Sequence, residues 1–91
     1  MFQTLKQSSM NKRNQYHTIT TLTVWVDSNN KTFNYYRNID SIISCPLDEV
    51  RVVDCGDKLE FFRRSYKIIY KSDKNSLIRL KLKLRLNGVK V

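Results

Sequence analysis

The sequence predicts an all-β, mainly antiparallel fold: a five- to six-stranded meander that curls into a small open barrel or a sandwich. Runs of β-branched and aromatic residues alternate with polar ones at a period of two. The runs are separated by short clusters of Asn, Asp, Ser and Gly, the residues that build tight turns. At 91 residues there is room for one domain and none for a two-lobed enzyme or a (β/α)8 barrel.

Residues 1–15 are polar, with scattered apolar positions too few to offset the entropy of ordering, and read as a flexible basic arm. Met10 within it is a second candidate start. Residues 16–91 form the β-rich domain. Thr18 to Val26 reads as one strand with Leu22, Val24 and Val26 on a shared face. Asp27-Ser28-Asn29-Asn30 is a turn, and Thr32 to Tyr36 returns as its partner, placing Val26 opposite Lys31, Val24 opposite Phe33 and Leu22 opposite Tyr35. Asn38 to Ser44 carries the helical hint of the chain, one short turn near 40–45, capped by Asp40 or Ser41 and ended by Pro46. Glu49 to Val53 and Leu59 to Phe62 pair as a hairpin around Asp54-Cys55-Gly56-Asp57-Lys58. At Arg63-Arg64-Ser65 the apolar parity slips, which predicts a bulge or a break. A final hairpin turns at Asp73-Lys74-Asn75 and sets Tyr70 opposite Ile78, with Ile78, Leu80, Leu82, Leu84 and Leu86 on one face.

The formal charge is +9, from 17 Lys and Arg against eight Asp and Glu, and it is unevenly placed. Every acidic residue lies between Asp27 and Asp73, where eight basic residues balance them. The final segment carries Lys74, Arg79, Lys81, Lys83, Arg85 and Lys90 with no acid, and the arm adds Lys6, Lys12 and Arg13. A neutral body with basic ends points to contact with a polyanion, the alternative being charge kept for solubility.

Catalytic chemistry finds little support. His17 is the sole imidazole and nothing in the pattern positions it. Cys45 and Cys55 lack Cys-x-x-Cys spacing and read as small buried hydrophobes. The carboxylates Asp48, Glu49, Asp54, Asp57 and Glu60 match no metal-nuclease spacing, and no phosphate-binding glycine loop is present. No cofactor or metal is expected. Neither an apolar span of membrane length nor a secretory apolar region is seen, which makes a soluble, cytoplasmic protein the expectation. Abundant Lys and Asn with no Ala is the composition of an AT-rich genome, a hint of a viral or phage origin and of an infected host cell.

The expected function is a small non-enzymatic nucleic-acid-binding protein. On the predicted last strand Arg79, Lys81, Lys83 and Arg85 share one face at about 6.5–7 Å spacing, comparable to that of successive phosphates. Lys67 and Lys71 on the paired strand, with Arg63 and Arg64 at the break, extend the row. Trp25 and Tyr36 fall opposite the predicted core positions and are candidate stacking platforms. Two readings compete with this one: a phage or viral accessory protein that inhibits or adapts a host protein through a sheet edge or by docking the basic face on an acidic protein surface, and a structural subunit of a ribonucleoprotein or capsid. A domain this small also invites self-association through an edge strand.

Overall fold

The structure, a computed structural model, describes residues 16–91, so the arm expected over 1–15 lies outside the described residues. In chain order the elements are β1 (His17–Thr21), β2 (Val24–Asp27), β3 (Thr32–Asn38), β4 (Ser41–Pro46), a 3-10 turn (Leu47–Glu49), β5 (Arg51–Asp54), β6 (Lys58–Arg63), β7 (Tyr66–Lys71) and α1 (Lys74–Leu86). They form a four-stranded sheet in the order β1-β7-β6-β5 and a three-stranded sheet in the order β2-β3-β4. The mainly-β class stands. The sheets do not close into a barrel, and the connectivity is not a simple meander, because β1 pairs with β7 in parallel across most of the domain.

The two sheets meet through Phe33 of β3 and Phe61 of β6, whose rings stack at 4.3 Å and are wholly buried. Around them the inward positions of each strand supply Val26, Tyr35, Cys45, Val52, Leu59, Ile68 and Tyr70. Leu77, Leu80 and Leu84 of α1 enter the same core.

Four sequence expectations are corrected. The long first strand is two: Thr21 Oγ1 accepts from Thr23 N and donates to Thr23 O, both at 3.2 Å, which turns the chain so that β1 joins one sheet and β2 the other. The β2–β3 register differs by two residues, with Val26 opposite Phe33 and Val24 opposite Tyr35. Asp27 Oδ1 accepts from the Asn29 and Asn30 amides, Lys31 takes a left-handed φ of 57°, and the strands restart at the Asp27–Thr32 pair. A slip of two keeps every side chain on its expected face. The helical turn near 40–45 is instead β4, whose β-branched Ile42 and Ile43 lie across from Tyr36 and Tyr35; the turn before it is Ile39-Asp40, beside a bulge at Tyr36/Asn38.

The largest correction is at the C-terminal end, where the expected basic strand is the helix α1. Leu, Lys and Arg are strong helix formers, and residues 74–86 hold one β-branched side chain, Ile78, and no Gly or Pro. Asp73 caps the helix, its carboxylate accepting from Ser76 N at 3.1 Å and Ser76 Oγ at 2.7 Å. These bonds hold the Asp73 carboxyl below its ordinary pKa. The far end closes in a Schellman motif: Val89 N donates to Leu84 O and Gly88 N to Arg85 O, both at 3.0 Å, with Gly88 at φ 89°. The break predicted at 63–65 is a two-residue turn, Arg64-Ser65, with Arg64 at φ 55°. Such a turn puts Arg63 opposite Tyr66, which accounts for the parity slip.

Candidate functional site

Pairing between strands, more than position along any one of them, assembles the basic surface. On the four-stranded sheet Leu59, Phe61, Ile68 and Tyr70 point into the core, so the alternate residues point outward. The register then forms cross-strand rows. Arg51 lies opposite Phe62, Phe62 opposite Lys67, and Lys67 opposite Thr18, which makes one row across all four strands. The middle row is Val53, Glu60, Ile69 and Thr20, and a third row begins with Lys58 opposite Lys71. Each row sits about 6.5–7 Å from the next.

In the first row the Phe62 ring has a cation on either side. The Arg51 guanidinium carbon lies 4.8 Å from its centroid and Lys67 Nζ 5.7 Å from it. Tyr16 meets the same ring edge-on, with centroids 5.3 Å apart. Lys67 also reaches Glu60, the acidic residue among these rows, at 3.6 Å. Arg51, Lys58 and Lys71 form no ion pair among the described residues. This is a half-buried aromatic ring between cations on the outward face of the sheet, a combination that suits stacking on a flat ring and binding anionic oxygens beside it.

The residues expected from sequence are distributed over several places. Lys67 and Lys71 are on this face. Arg63 is on the inward parity and is held by Glu49, with Nη2 2.8 Å and Nε 3.0 Å from Oε1. Arg64 is exposed at the turn next to it. Arg79, Lys81, Lys83 and Arg85 do not form a row, because the helix separates them into two pairs. Lys81 binds Asp54 at 2.7 Å, which with the Gly56 amide holds the Asp54 carboxyl below its ordinary pKa. Arg85 Nε donates to Val91 O at 2.7 Å. Arg79 and Lys83 border a groove beside β2, and the exposed Ile78, Leu82 and Leu86 run between the two pairs.

Trp25 and Tyr36 are together on the outer face of the three-stranded sheet, ring centroids 5.7 Å apart. That face carries Thr32, Asn34, Ile42 and Ser44 besides, and none of these is cationic. Arg51 and Phe62 were missed as site residues. Their signal was the register of two hairpins, since alternation within a single strand cannot show which residues are neighbours across it.

The other chemically active groups stay apart. Cys45 is buried, which pushes its thiol up, and Cys55 is exposed and unpaired. Among the described residues no group of three His, Cys, Asp or Glu converges, and no helix is long and apolar enough to cross a membrane. Comparison with protein-family models, with characterised proteins and with solved structures finds no match.

Proposed function

We propose that this protein binds nucleic acid through the outer face of its four-stranded sheet and performs no catalysis there. The observation that carries the reading is the Arg51–Phe62–Lys67 row, an aromatic platform with a cation on each side. Phe62 stacks on a base, Arg51 offers a forked donor to a phosphate, and Lys67 acts as a point charge. Lys58 and Lys71, two rows away, take a phosphate further along the strand. Stacking requires an unpaired base, which favours single strands over duplexes. Backbone contacts dominate, so sequence preference is weak.

The test is fluorescence anisotropy with labelled single-stranded and double-stranded DNA and RNA over a range of salt. Four phosphate contacts on a single strand give a log–log salt slope of about −3. Absence of binding at low salt, or binding untouched by Lys67→Gln with Lys71→Gln, overturns the reading.

A further inference from the structure

A groove lies away from that face, along an outer edge of the three-stranded sheet that is unpaired among the described residues. β2 is an outer strand of the order β2-β3-β4. Tyr36 N donates to Thr23 O at 3.3 Å, which sets the alternation: Trp25 and Asp27 exchange hydrogen bonds with β3, while Val24 and Val26 turn their N–H and C=O groups to the other side. Among the described residues no backbone group pairs with those of Val24 and Val26 on that side.

α1 runs alongside this edge and leaves a groove of about 250 Å³. Val24, Val26, Tyr70 and Leu80 give it an apolar base, and Trp25 flanks it. The helix contributes Arg79 and Lys83, and neither forms an ion pair among the described residues. Asp27, the carboxylate on β2, accepts from Asn30 and Asn29 in its own loop, and these bonds, with a smaller contribution from the Lys83 charge, hold its pKa low, so Arg79 is the groove cation with no carboxylate acting on it in this way.

We infer that this groove receives an extended acidic segment of a partner protein, added to β2 as a further strand. Backbone pairing supplies the Val24 and Val26 groups with their missing partners. Charge sets the identity of the occupant. From Arg79 to Lys83 the helix rises about 6 Å, and alternate side chains of an extended strand are about 6.5–7 Å apart, so two acids at alternate positions meet the two cations. Residues 1–15 fit poorly, because they hold Lys6, Lys12 and Arg13 and no acid. A second copy paired edge to edge sets Arg79 and Lys83 against the same residues.

The experiment is selection of random peptides on the immobilised full-length protein, followed by binding of the enriched peptides in solution. Enrichment of peptides with Asp or Glu at alternate positions, and without Pro in the paired stretch, is the expected result. Arg79→Glu with Lys83→Glu weakens those peptides about tenfold or more and shifts the preference to basic ones. Amide exchange at Val24 and Val26 slows on binding, and Trp25 fluorescence changes. Failure to enrich any peptide, enrichment without acids, or unchanged exchange at Val24 and Val26 overturns the inference. Replacing Arg51, Lys67 and Lys71 by Gln leaves peptide binding intact and removes nucleic-acid binding, so the two sites fail independently.

Discussion

The two sheets both present aromatic rings on their outer faces, but one of those faces is cationic and the other carries no cation. On the four-stranded sheet the outward ring, Phe62, is half-buried between Arg51 and Lys67, with Lys58 and Lys71 two rows away. On the three-stranded sheet Trp25 and Tyr36 lean on each other and Asn34 occupies the centre. Asn34 is buried, its amide oxygen accepts from the Ser44 hydroxyl, and its amide nitrogen donates to Thr32 Oγ1 and to the Trp25 carbonyl. An exposed aromatic is therefore a weak pointer to a nucleic-acid site. A ring within a few ångströms of cations, one of them, Arg51, without an acidic partner among the described residues, is a stronger one, because stacking and phosphate contact must be made by the same ligand.

The sharpest way to break that comparison is to reverse the charge of one face. Arg51→Glu with Lys67→Glu and Lys71→Glu removes three charged contacts and lowers nucleic-acid affinity on the order of a hundredfold or more. Circular dichroism should be unchanged, since these side chains point outward. Loss of the fold in this variant, or retention of affinity, moves the binding surface elsewhere.

A smaller effect separates the two sets of rings. Phe62→Ala weakens single-strand binding by about 1–3 kcal/mol per stacked base and leaves the salt slope unchanged, because the cations remain. Trp25→Ala and Tyr36→Ala leave nucleic-acid affinity unaltered. Equal losses from both sheets would show that aromatic exposure alone matters. On the neutral sheet the expected consequence of mutation is structural. Asn34→Leu breaks the buried amide network and lowers unfolding free energy by about 1–3 kcal/mol in urea titration, with nucleic-acid affinity unchanged.

Much of the fold was legible where two periodicities did not compete. The β5–β6 and β6–β7 strands follow from alternation plus the turns at Gly56 and Arg64-Ser65. The final segment was ambiguous because Ile78 to Leu86 alternates strictly, while Leu77 just before it joins Leu80 and Leu84 at helical spacing. The terminal signals resolve it: Asp73 three residues before Ser76 at one end and Asn87-Gly88 at the other. The break between β1 and β2 had no such signal, since a Thr hydroxyl bonding two residues ahead is invisible in a Thr-rich strand. For the same reason half of the site was legible. Lys67 and Lys71 follow from alternation within β7, whereas Arg51 and Phe62 become their neighbours through register.

The smallest expected effect concerns the cap that makes the C-terminal segment a helix and leaves the cationic rows to the four-stranded sheet alone. Asp73 is bonded by Ser76 in the folded protein, which lowers its pKa below the unfolded value. Its contribution to stability is therefore complete above the unfolded carboxylate pKa of about 3.9 and is lost as pH falls through the lower folded value. Asn caps a helix nearly as well and does not titrate. Asp73→Asn thus keeps the helix at neutral pH and flattens the stability profile below about pH 4, while Asp73→Ala lowers the unfolding midpoint at neutral pH. If Asp73→Asn retained the full acid sensitivity of the parent, the acid transition would belong to Asp27 and Asp54, whose carboxyls are also held low by hydrogen bonds. Lys81→Gln, which removes the partner of Asp54, then separates the contributions of those two.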